Sequence, residues 1–227
     1  MVPPPMTSDT QLRRDVEDEL ATEPSLDATA IGVAVKEGIV TLSGHVASYS
    51  EKLAADRCAA RVLGVSAIVS ELDIKFPGST RVTDEDIARA VMSALAWNSL
   101  IPRDRIKVEV GSGWITLEGD VDWHYQRAAA HDAVSHLRGV TGVTDKIVVK
   151  PASIGNAVKA HIEATLRRRF GEHLDHVKIE TRGDHVILRG MVASLSERIE
   201  VERAAWTTPG VCHVDNNLAV ERLTKSP

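Results

Sequence analysis

Aromatic residues are scarce: four tryptophans, two tyrosines and two phenylalanines make up 4% of the 227 residues. The core must therefore be aliphatic, built from valine, isoleucine, leucine and alanine. Cysteine is scarcer still. Cys58 and Cys212 stand far apart with no metal-type spacing, and read as small buried hydrophobes rather than as a disulfide or a zinc set. No apolar run approaches the roughly 20 residues of a membrane-spanning helix, which excludes a transmembrane segment of that kind. No charge dominates either. A net charge of -5 is too mild to drive nucleic-acid binding by bulk electrostatics, and no basic stripe with interleaved aromatics is present. The start of the chain lacks the basic and apolar regions of a secretory signal, so the expected compartment is the cytoplasm, or the periplasm had a signal been removed.

What is present is repetition. Alternating apolar residues run into a glycine three times: Ile39-Val40-Thr41-Leu42-Ser43-Gly44, Trp114-Ile115-Thr116-Leu117-Glu118-Gly119 and His185-Val186-Ile187-Leu188-Arg189-Gly190. The offsets between these glycines carry the other landmarks. A Gly-Val pair follows each motif, at Gly64-Val65, Gly139-Val140 and Gly210-Val211, and an apolar triplet precedes it: Leu12, Val16, Leu20; Ile87, Val91, Leu95; Val158, Ile162, Leu166. Independent landmarks at shared offsets establish a three-fold repeat. Proline and small residues at Phe76-Pro77-Gly78-Ser79-Thr80 and Lys150-Pro151-Ala152-Ser153 mark the junctions, giving expected domains over 9–77, 80–150 and 152–222. Each copy is about 70 residues, near the lower limit for independent folding.

Within one copy, the apolar triplet at i, i+4 and i+8 predicts a helix with one buried stripe. Alternation at Ile31, Val33, Val35, at Ile106, Val108, Val110 and at Val177, Ile179 predicts a first strand, and glycines before the repeated motif predict a hairpin into the second. Ser48 to Glu51 and Ser194 to Glu197 read as capping boxes opening a second helix, with Asp122 as the expected cap in copy two. The Gly-Val pair ends that helix, and a third alternating strand follows. The fold class expected is α+β: three tandem αββαβ modules, each a three-stranded mixed sheet with two helices packed on one face. The sequence leaves open which strand the third one joins.

The search for chemistry finds no phosphate loop, nucleophile elbow or Cys/His zinc set, so no catalytic residue, metal ligand or cofactor site is expected. His173 and His176 read as a solvated segment, and His131 and His136 point to different sides of a helix. The tryptophans are more informative, since each has two aligned positions for comparison. Trp97 aligns with Thr22 and Arg168, Trp114 with Ile39 and His185, Trp123 with Ser48 and Ser194, and Trp206 with Ala60 and Ser135. None belongs to the shared core pattern. They either pack one module against the next or contact lipid or protein. Arg167-Arg168-Arg169 in the first helix of copy three either lies on an anionic bilayer or forms a solvated face that suits the helix dipole.

The repeated strand-to-glycine motif, the Gly-Val pairs and a third strand with a polar residue near its start (Ser70, Asp145, Asn216) resemble the BON domain family, over roughly Asp9 to Glu221. The resemblance implies a non-enzymatic binding protein that associates with phospholipid membrane surfaces, in osmotic or envelope stress for OsmY-like members. The alternative is a protein-interaction scaffold or self-assembling array, in which three linked modules gain avidity. The candidate interaction residues are Trp97, Trp114, Trp123, Trp206, Arg167 and Arg168. The structural glycines are Gly44, Gly64, Gly119, Gly139, Gly190 and Gly210.

Overall fold

The first two apolar triplets wind into helices where their spacing places them. In the computed structural model the described residues are 8–76, 78, 82–102, 104–150, 177–182, 184–208 and 211–220. Gly210 and the expected first helix of copy three, with Val158, Ile162, Leu166, Arg167 and Arg168, lie outside them. Helix α1 (Asp9–Thr22) buries Leu12, Val16 and Leu20, and helix α3 (Asp84–Trp97) buries Ile87 and Val91. Ser8 caps α1 by accepting from the Gln11 N–H, and Thr83 caps α3 in a reciprocal pair with Asp86.

Each module then carries three strands. They are β1 (Ile31–Lys36), β2 (Ile39–Val46) and β3 (Ala67–Ile74) in the first, and β4 (Ile106–Gly111), β5 (Trp114–Val121) and β6 (Gly142–Val149) in the second. The third has β7 (Val177–Arg182), β8 (His185–Val192) and β9 (His213–Val220). Every sheet has the second strand in its centre, antiparallel to the first and parallel to the third. The register repeats: Leu42, Leu117 and Leu188 sit opposite Ser70, Asp145 and Asn216. The parallel pairing needs a crossover, supplied by α2 (Tyr49–Arg61), α4 (His124–Ser135) and α5 (Leu195–Trp206).

The hairpins are tight because two successive residues take positive φ: Glu37 and Gly38 at 53° and 75°, Ser112 and Gly113 at 54° and 78°. Those signs match the twist of the flanking strands. The first residue of the preceding helix holds each turn. The Asp9 carboxylate accepts from the Glu37 and Gly38 N–H groups, and that of Asp84 from Ser112 and Gly113, both at 2.8 Å.

The entry to the crossover helix refines the expected capping box. Ser48 and Ser194 accept from the Glu51 and Glu197 N–H groups, but each glutamate reaches one residue beyond the serine, to the N–H of Ala47 or Ala193. In copy two Asp122 is not the cap. Its carboxylate is held by Arg105 at 2.9 Å, and Gln126 instead accepts from the backbone N–H groups of Asp122 and Trp123.

The shared glycine has a steric origin. Gly44 (φ +116°) and Gly119 (φ +146°) pass so close to the chain entering the first strand that an added Cβ would lie 2.0 Å from the carbonyl oxygen of Ala30 or Arg105. The cores beneath are aliphatic, around Val16, Val40, Leu42 and Val65 in the first module and Ile87, Ile115, Leu117 and Val140 in the second. In the third, the described part of the core centres on Val186, Leu188 and Val201. The described helices cover one face of each sheet.

The modules also meet through one repeated position, the first residue of the crossover helix. Tyr49 of the first module packs on the core of the second, its phenol against the backbone of Val143. His124 of the second stacks on Trp206 of the third, ring centroids 4.6 Å apart and planes 17° from parallel. Leu195 of the third packs on the core of the first. First to second, second to third and third to first: the contacts close on themselves.

Candidate functional site

The four tryptophans separate by exposure. Trp206 is half-buried and spent on the contact with His124. Trp114 lies on the sheet face away from the helices, over Gly142, where an added Cβ would meet its ring at 2.4 Å, and its indole N–H donates to Thr144 Oγ1 at 2.8 Å. Trp123 is 40% exposed at the start of α4. Trp97 ends α3 with 90% of its surface in water.

Trp97 does not stand alone. Met92 and Leu100 are also more than half exposed, and Met92 lines a groove of about 300 Å³ with Leu95, Ala96, Ile101, Pro102, Asp104 and Ile106. From Ala90 to Leu100 the chain carries no charge. The first module has the same groove, lined by Glu17, Leu20, Ala21 and Ile31. There the aligned residues are Glu17, Thr22 and Ser25, and Arg61 bridges Glu19 and Glu23 at 3.1 and 3.2 Å. The same backbone positions thus carry Glu17, Thr22 and Ser25 in module one and three exposed large apolar side chains in module two. Exposed large apolar side chains that the fold does not require mark an interaction surface.

Two arginines near this surface are already paired, while Asp104 lines the groove itself. Arg89 meets Glu85 and Asp86, and Arg105 bridges Asp120 and Asp122, whose proximity raises the guanidinium pKa. Contact at this surface would therefore rest on apolar burial more than on ion pairing.

With this geometry the comparisons fall into place. The model of the BON domain matches three times, over residues 8–75, 83–151 and 157–222. The chain belongs to the BON domain family. Osmotically-inducible protein Y of Escherichia coli (strain K12) is 26% identical over 151 residues, spanning 63% of this chain and 73% of that protein. Among solved structures, CdsD, a structural protein of the type III secretion system of Chlamydia trachomatis, aligns over 92% of this chain and 91% of its own, at 15% identity and a TM-score of 0.25. Its C-terminal domain aligns over 94% and 99%, at 14% identity and the same score. Superpositions that loose carry nothing about function.

The polar residue near the start of the third strand is a structural tie in the second and third BON modules, while in the first a neighbouring backbone carbonyl takes that part. Arg127 holds Asp145 at 2.8 Å, Lys52 donates to the Leu72 carbonyl, and Asn216 donates to Glu202 at 2.8 Å. Both cysteine thiols are held toward the protonated form. Burial raises the Cys58 thiol, and burial with the neighbouring Asp184 pushes Cys212 up to about 12. Among the described residues no helix is long and apolar enough to cross a membrane.

One cluster escaped the sequence reading. His185, His213 and Asp215 converge on the open face of the third sheet, with all three potential ligand atoms within 4.8 Å of one another. Their numbers give no metal spacing. Only the pairing of His185 with His213 across β8 and β9 brings them together.

Proposed function

We propose that this protein is a non-catalytic binding protein that attaches to phospholipid surfaces through exposed apolar side chains of its second BON module, Met92, Trp97 and Leu100. The observation that carries the reading is the contrast at aligned positions, Glu17, Thr22 and Ser25 in the first module against the exposed Met92, Trp97 and Leu100 in the second. Tryptophan suits a membrane interface, because its ring is apolar and its N–H seeks water or headgroup oxygens. By repeat position Arg168 corresponds to Trp97, so Arg167 and Arg168 add a preference for anionic lipid. Trp114 and Trp123 lie outside this set and serve as secondary contacts, while Trp206 serves the module interface. The name of the Escherichia coli relative supports a role in osmotic stress.

The test uses vesicles with and without anionic lipid, following tryptophan emission. The unaltered protein binds with a blue shift. A triple variant carrying the first module's own residues, Met92→Glu, Trp97→Thr and Leu100→Ser, binds at least about tenfold more weakly, since three exposed apolar side chains no longer leave water. The first module already tolerates those residues on this backbone, so the fold is retained. Equal binding by the variant would sink these residues as the lipid contact. Failure of the unaltered protein to bind any vesicle, together with a defined oligomer in solution, would favour the scaffold reading through the open sheet faces.

A further inference from the structure

The outward positions at the hairpin end of each sheet form a natural comparison. In the first module they are Ile39, Ala67 and Val69; in the second, Trp114, Gly142 and Thr144; in the third, His185, His213 and Asp215. The same backbone sites are apolar once, covered by an indole once, and occupied by two imidazoles and a carboxylate once. Nothing in the fold demands the last set, since the other two modules build the same sheet without it.

The geometry of that set suits a metal. Asp215 reaches both histidines with its two oxygens, Oδ2 at 2.9 Å from His185 Nε2 and Oδ1 at 3.6 Å from His213 Nε2. Ligand atoms about 2.0–2.2 Å from a tetrahedral zinc ion stand roughly 3.3–3.5 Å apart, between those two separations. The imidazoles meet edge to face, centroids 4.7 Å apart and planes at 86°, so their nitrogens converge without ring stacking. Furthermore, His185 Nε2 is shut off from solvent yet makes no hydrogen bond; the approach of Asp215 lies off the hydrogen-bonding direction. A buried imidazole nitrogen without a partner is costly unless something else takes its lone pair. The backbone fixes the pair, because the Asp184 carbonyl in the hairpin accepts from the N–H groups of Cys212 and His213 at 3.0 and 3.4 Å.

We infer that His185, His213 and Asp215 form a binding site for one divalent first-row transition ion, with zinc as the leading case. Imidazole with a single carboxylate favours zinc over magnesium or calcium, which seek oxygen ligands. Three protein ligands leave a coordination position for water, and the exposure of His213 and Asp215 gives the ion an entry path. The bound ion ties β9 to β8 at the end of the third sheet, independently of the exposed apolar residues of module two.

The experiment titrates the intact protein with Zn²⁺ by calorimetry and with Co²⁺ by visible absorption, beside the variants His213→Gly and Asp215→Thr, which place the second module's residues at those sites. The unaltered protein binds one ion with the intense visible bands of four-coordinate Co²⁺, and melts at a higher temperature with zinc than with chelator. Each variant loses at least about tenfold in affinity, the four-coordinate bands and the zinc-dependent rise in melting temperature. His131→Ala, elsewhere in the chain, changes none of these. Unchanged affinity and spectrum in both variants would overturn the assignment, as would unaltered protein that binds no Co²⁺ or shows only the weak spectrum of a six-coordinate ion.

Discussion

Single residues set the tolerances of this chain most sharply at the glycine shared by all three modules. A side chain at Gly119 has no room, because its Cβ would overlap the Arg105 carbonyl, and the positive φ strains any L-residue. Gly119→Ala should cost about 3 kcal/mol and lower the melting temperature by several degrees, whereas Gly111→Ala, with open space around it, should cost under about 1 kcal/mol. Equal losses in thermal melts would contradict the steric reading. Asp56 makes the opposite case. Burial raises its carboxyl above the usual value, against smaller opposing effects of the nearby Ser70 hydroxyl and of Lys52. An acid with a raised native pKa binds its proton more tightly when folded, so stability falls as pH rises through that value. Asp56→Asn should therefore stabilise the protein at pH 7, by about 1 kcal/mol, and the gain should vanish on acidification. Denaturant midpoints for both proteins across that range check the sign.

Elements are where the sequence was most legible. The first two helical triplets, the period-two strands and the glycine motif fell where local rules place them, since each is a property of a few neighbouring residues. Trp97 was also legible: its aligned partners Thr22 and Arg168 mark a position outside the core. Pairing was not. The third strand joins the second in parallel, a choice made by tertiary packing of the crossover helix rather than by anything within Ala67–Ile74. His185, His213 and Asp215 stayed hidden for the same reason, and so did the Gln126 cap, because Asp122 looks like a cap until Arg105 claims it. The tie between the helix start and the hairpin was invisible too, as Asp84 resembles any acidic first-turn residue. Asp84→Ala should leave the two central N–H groups of the Ser112-Gly113 turn to water and cost about 1 kcal/mol, a modest figure because the site is exposed. Hydrogen exchange at those two amides should quicken by about fivefold or more, while exchange in β1 and β2 stays unchanged.

At the scale of the whole molecule the repeat does more than triple a module. Tyr49, His124 and Leu195 occupy one repeated position, yet each meets a different neighbour, so three small cores share their borders. Such sharing matters for units this small, which bury too little surface to be robust alone. Among these three residues only His124 carries an imidazole. Burial against Trp206 lowers its pKa below the usual 6.5, with Arg127 and Arg203 acting in the same direction and Asp145 and Glu202 opposing. An imidazole whose native pKa is depressed contributes stability that is present above the unfolded value and is lost as pH falls through the native one. The contact between the second and third modules should therefore weaken on acidification from pH 7.5 to 5.5. His124→Phe keeps the ring stack without the proton site, so relative to that variant the natural protein should lose about 2–4 °C of melting temperature over this interval. Parallel pH profiles for the two proteins would mean that His124 is solvated in the folded chain and that the second and third modules do not meet at Trp206.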